Sequence, residues 1–169
     1  NYYFPTPSGF DANAGGSFFF GANDAFVAKV TAPGTLGWAS YLGGSETSGG
    51  SAIAIDHSGN VWVTGVTLCS DFPTPGGGDT SFGGWNDAFV ARLTPGGTLA
   101  FGSYLGGTRA EAAYGIAIDA SGNAWVTGRT ASGDFPMPGG FSTMYNGGDE
   151  DAFVARITPS GTLAFASYL

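Results

Sequence analysis

DAFVARLTPGGTLAFGSYLGG, residues 87–107, is the stretch that decides the fold, because the chain contains it three times. DAFVAKVTAPGTLGWASYLGG begins at Asp24 and DAFVARITPSGTLAFASYL at Asp151. The first two copies agree at 14 of 21 positions and the last two at 16 of 19. Within each copy, Asp87 to Thr94 alternates. Ala88, Val90 and Arg92 fall on one face, and Phe89, Ala91 and Leu93 on the other, as a pleated strand requires. Pro95-Gly96-Gly97 turns the chain, Thr98 to Leu105 is a second strand, and Gly106-Gly107 breaks it.

Two further motifs recur in step. SAIAIDHSGNVWVTG starts at Ser51 and GIAIDASGNAWVTG at Gly115. Ala52 to Asp56 alternates apolar and small residues. Asp56-His57-Ser58-Gly59-Asn60 is rich in residues that accept left-handed angles or bond their own backbone. Val61-Trp62-Val63-Thr64 is β-branched and aromatic, hence a strand. The third motif is a proline corner, at Phe4-Pro5-Thr6-Pro7, Phe72-Pro73-Thr74-Pro75 and Phe135-Pro136-Met137-Pro138. Each repeat of about 63 residues therefore predicts four short strands. No segment carries a 3.6-residue apolar stripe with helix caps, so no helix is expected.

Composition narrows the function classes. Glycine makes up 31 of 169 residues without a collagen period, and 43% hydrophobic residues exclude a solvated disordered chain. No apolar run approaches the ~20 residues of a membrane helix. A net charge of −8, with Lys29, Arg92, Arg109, Arg129 and Arg156 as the cations, argues against nucleic acid and anionic lipid as partners. Cys69 stands alone, which excludes a disulfide framework and a multi-cysteine zinc site. The composition fits a secreted or surface protein. With no initiator Met, no leader segment and ends that fall inside a repeat, the chain is expected to be part of something longer.

Four antiparallel strands repeated at this spacing point to propeller blades rather than a parallel β-helix, whose rungs are shorter. The three ordered motifs together resemble the SBBP family of bacterial β-propeller repeats, and GIAID-SGN-WVTG also resembles the NHL repeat. The resemblance implies four-stranded blades in bacterial surface or secreted proteins, and no standard catalytic residues. The expected fold is all-β, with about two and a half blades, open rather than closed. Residues 1–50 would supply a leading loop and the two outer strands of an incomplete blade. Residues 51–112 and 113–169 would each form a complete blade. Closed propellers need four to eight blades, so the remaining contacts are expected from further repeats or other copies.

Candidate chemistry is sparse. Asp56 with Asn60, and Asp119 with Asn123, are expected to cap the turn backbone; calcium is the alternative ligand, since hard oxygens suit it. The run Asp149-Glu150-Asp151 is a second candidate for a cation. His57 has Ala120 at its place in the next repeat, so the fold does not require it. Ser40, Ser103 and Ser167 lie in SYL, outside any nucleophile elbow. Lys29, Arg92 and Arg156 recur in step with the strand and suggest an ion pair repeated between blades. The aromatics outside the repeat, Tyr2, Tyr3, Phe18, Phe19, Phe20, Trp85 and Tyr145, with Met144, are candidates for an interface with another subunit or a glycan. The expected function is non-catalytic: a structural or adhesive module of a bacterial extracellular assembly, without catalytic residues or cofactor. The alternatives are part of a closed propeller that binds a glycan or protein, or a lyase-type propeller enzyme with its catalytic groups in other blades.

Overall fold

The computed structural model describes residues 5–15 and 23–169. Among these, all regular structure is β-strand. The strands are β1 (Ala25–Val30), β2 (Leu36–Leu42), β3 (Ser48–Ile55), β4 (Val61–Thr67), β5 (Asp87–Leu93), β6 (Leu99–Leu105), β7 (Glu111–Ile118), β8 (Ala124–Thr130), β9 (Asp151–Ile157) and β10 (Leu163–Tyr168). They form three antiparallel sheets: β1-β2, β3-β4-β5-β6 and β7-β8-β9-β10. Each is a meander of hairpins, and none closes into a barrel. This is the blade architecture expected from the repeat.

The first strand of each full sheet is longer than its alternating pattern suggests. β3 starts at Ser48, ahead of Ala52, because Ser48, Gly49 and Gly50 pair with Thr67, Val66 and Gly65 across a register shift. β7 repeats this, with a shift between Ala113 and Gly115. A bulge admits small residues that carry no period-two pattern, so this part of the strand left no hydrophobic signature.

The sheets stack face to face through two cores. Ala25, Val27, Trp38 and Leu42 of the first sheet meet Val63, Phe89, Ala91 and Leu93 of the second. Trp62, Val90, Phe101 and Leu105 of the second meet Val126, Phe153, Ala155 and Ile157 of the third. Alternation within one strand thus serves two seams: Phe89 points to the preceding sheet and Val90 to the following one. The proline corner closes each seam from the side. Phe72 packs on Phe89 and Phe135 on Phe153, with ring centroids 4.6 Å apart in both pairs.

Candidate functional site: the seams and faces of the blades

Repeated cations join one blade to the next, but not as ion pairs. Lys29 Nζ donates to the Pro95 carbonyl at 3.3 Å, and Arg92 Nη1 donates to the Pro159 carbonyl. Each reaches the hairpin turn of the following sheet. The guanidinium of Arg92 lies 5.4 Å from the Trp62 ring centroid, and that of Arg156 lies 5.6 Å from Trp125. The expected repeated ion pair is therefore corrected. A carbonyl accepts the proton and an indole face takes the charge, an arrangement that suits the weakly hydrated guanidinium. The sequence suggested an ion pair because carboxylates are visible in it, whereas backbone acceptors are not. Arg129–Glu150, at 2.5 Å, is the one salt bridge among the described residues.

The D-x-S-G-N turns are saturated with donors. Asp56 Oδ1 accepts from the Ser58 and Asn60 N–H groups, both at 2.9 Å. Its Oδ2 accepts from Asn60 Nδ2 at 2.8 Å and Trp62 Nε1 at 3.2 Å. Asp119 repeats the set with Ser121, Asn123 and Trp125. Partial burial opposes ionisation of Asp56, but the Asn60, Trp62 and Ser58 bonds prevail and hold its pKa below the ordinary value. For Asp119 the Asn123 side chain leads, and the pKa falls to about 2. The indole bond was not foreseen, although the Asp-to-Trp spacing of six recurs. Donors on both oxygens favour an anion and leave little room for a calcium ion.

The remaining candidates scatter. Glu150 pairs with Arg129, while Asp151 Oδ2 accepts from the Asn146 N–H at 2.6 Å, so the 149–151 run does not converge. Among the described residues no three His, Cys, Asp or Glu side chains form a metal-sized group. His57 is exposed. Ser40, Ser103 and Ser167 staple long loops to the last strand of each sheet. Ser103 Oγ accepts from the Asp79 N–H at 3.0 Å and lies 3.1 Å from the Asp79 carbonyl. Ser40 holds Asp11 and Ser167 holds Ser142 in the same way.

The interface candidates divide. Tyr2, Tyr3, Phe18, Phe19 and Phe20 lie outside the described residues. Trp85 and Met144 are 87% and 79% exposed. Tyr145 turns inward, edge-on to Tyr168 at 5.8 Å. Phe141, 74% exposed, belongs with the first two and was not singled out from the sequence. Trp85, Arg109, Ala110 and Ala131 line a groove of about 410 Å³.

One face of the last sheet carries the seam residues again. Trp125, Val154 and Phe165 occupy the places of Trp62, Val90 and Phe101, yet they are half-buried where the earlier set is 0–2% exposed. On the opposite side of the molecule, Val30 is 64% exposed, whereas its equivalents Leu93 and Ile157 are 0% and 4%. Ile53 and Ile55 are 59% and 68% exposed, whereas Ile116 and Ile118 pack on the core of the second seam.

Among curated proteins, none matches this chain. A family model described as a beta-propeller repeat, SBBP, matches residues 37–73 and again 101–136. Each match runs from within the last strand of one sheet, through the first hairpin of the next, to the first proline of its corner. Two segments of the chain thus match the SBBP beta-propeller repeat.

Proposed function

We propose that the protein is a non-catalytic structural or adhesive module of a bacterial extracellular or cell-surface assembly, continued through its blade faces by further repeats or by other copies. The observation that carries this reading is the face formed by Trp125, Arg156 and Phe165. It repeats the residues by which Trp62, Arg92 and Phe101 grip the following sheet. Its matching surface is the β1-β2 hairpin, where Gly34 has nothing within 4 Å of a built Cβ, while Gly97 and Gly161 each lie under a ring. Stacking Phe165 on Gly34 of another copy, with Arg156 donating to the Ala32 carbonyl, would reproduce both internal seams.

Light scattering across protein concentrations tests the reading. Mass is expected to grow with concentration, and the double variant Arg156→Ala/Phe165→Asp is expected to remain monomeric. A parent protein that stays monomeric throughout would overturn self-association.

The groove beside Trp85 favours a second reading, a propeller that binds a glycan or protein ligand. An indole platform next to a guanidinium suits a sugar ring bearing polar groups. Titration of acidic and neutral polysaccharides against Trp fluorescence, with Trp85→Ala as control, separates it from the first reading.

A further inference from the structure

Glu111 breaks the repeat. Its place in the preceding repeat belongs to Ser48, whose hydroxyl lies 2.9 Å from Thr67 Oγ1 and 3.3 Å from Cys69 Sγ. In the seam between the second and third sheets the same place holds a fully buried carboxylate. Glu111 Oε1 accepts from Thr130 Oγ1 at 2.7 Å, and Oε2 accepts from the Gly107 N–H at 3.0 Å.

Across the seam stands Asp87, the first residue of β5 and only 1% exposed. Its Oδ2 accepts from the Gly83 N–H at 2.9 Å, but its Oδ1 has no hydrogen-bond partner. That orphaned oxygen and Glu111 Oε2 both border Gly106. A Cβ built on Gly106 would lie 2.8 Å from the first and 2.7 Å from the second. The backbone holds the two strand starts in place: the Glu111 N–H donates to the Asn86 carbonyl at 2.9 Å, and Asn86 Nδ2 donates to the Glu111 carbonyl at 2.5 Å.

Two carboxylates in one buried site resist ionising together, and a buried acceptor without a donor is costly. One proton relieves both problems. We propose that Asp87 and Glu111 share a proton across the seam, with Asp87 Oδ1–H donating to Glu111 Oε2, so that the second and third sheets are latched when the proton is held and loosened when it leaves.

The surroundings agree. Burial, then the charges of Glu111 and Asp79, push the Asp87 pKa up to about 6. Asp87 also bears on Tyr104 of β6, and Glu111 on Tyr168 of β10. Asp134, beyond β8, accepts from the Thr108 N–H and Oγ1 and is the carboxylate that Arg109 favours. Gly83 N–H, Gly107 N–H and the Thr130 hydroxyl donate to the oxygens of the pair other than Asp87 Oδ1 and favour ionisation, but at Asp87 burial outweighs them.

The test is a residue-resolved carboxyl-carbon NMR titration, paired with thermal unfolding between pH 5 and pH 7. Glu111→Ser installs the residue that the preceding repeat uses, and Asp87→Asn keeps a donor facing Glu111. In the parent, Asp87 is expected to titrate near 6, and in Glu111→Ser roughly one unit lower. A raised folded-state value makes stability greatest below the ordinary aspartate range and diminishes it as pH rises through about 6. The parent midpoint should therefore fall from pH 5 to pH 7, while that of Asp87→Asn stays level and exceeds the parent at pH 7. Three results would overturn the latch: ordinary titration of Asp87 in the parent, an Asp87 midpoint unmoved by Glu111→Ser, or a midpoint that follows added calcium chloride.

Discussion

The indole of Trp38 lies on the backbone of Gly97, one sheet away. A Cβ built on Gly97 would sit 2.7 Å from Trp38 Cδ2, and Trp38 Nε1 donates to the Pro95 carbonyl of the same turn at 3.0 Å. Phe101 covers Gly161 in the next seam. An aromatic ring from one blade thus seats on the hairpin turn of the next. The turn glycine serves twice, through its positive φ of 88° and through the space it leaves.

Gly97→Ala should separate these two roles from Gly34→Ala. Gly34 has a similar φ of 84° but nothing within 4 Å. The Gly34 change is expected to cost about 1 kcal/mol for its backbone angle alone, and the Gly97 change roughly 2–3 kcal/mol more for displacing the indole. Chemical denaturation of the monomer at low concentration measures both, and equal losses there would show that the ring contact contributes nothing.

Leu93→Ala is expected to cost about 2–5 kcal/mol, because Leu93 is fully buried in the first seam. Val30→Ala, at the equivalent place but 64% exposed, should cost under about 1 kcal/mol in the monomer. Comparable losses at the two sites would mean that Val30 is covered in solution.

Asp119 carries an acid-sensitive share of stability. Its folded pKa, near 2, lies below the ordinary value, so its contribution is complete at neutral pH and is lost as pH falls toward 2. Asp119→Ala should lower the unfolding midpoint at pH 7 and converge with the parent near pH 2. It should also alter the emission of Trp125, whose Nε1 loses its acceptor. A gap between the two proteins as wide at pH 2 as at pH 7 would refute this assignment.

Ser103→Ala removes the hydroxyl that accepts from the Asp79 N–H. The expected cost is about 1–2 kcal/mol. Amide exchange should accelerate around residue 79 while the β5-β6 ladder stays protected. Uniform acceleration would mean that Ser103 supports the sheet rather than the loop.

Most of the blade was legible from residues 24–43, 51–65 and 87–107, because repetition of period-two strands and glycine turns leaves little freedom in sheet order. Other features left weaker traces. The start of β3 was missed because Ser48, Gly49 and Gly50 enter the ladder through a bulge and show no alternation. The partners of Lys29 and Arg92 were missed because they are carbonyls of Pro95 and Pro159, more than sixty residues away and invisible as side chains. Tyr145 stands among the interface candidates because a loop has no period to say which residues turn inward.

The sequence by itself determined the strands, their pairing order and the number of sheets, since local alternation and turn chemistry act within some thirty residues. Only the tertiary structure decided what the sheet faces meet. Stacking brings Phe101 onto Gly161, Arg92 to the Pro159 carbonyl and Asp87 toward Glu111. In each case burial at the seam, rather than local preference, sets what the residue does.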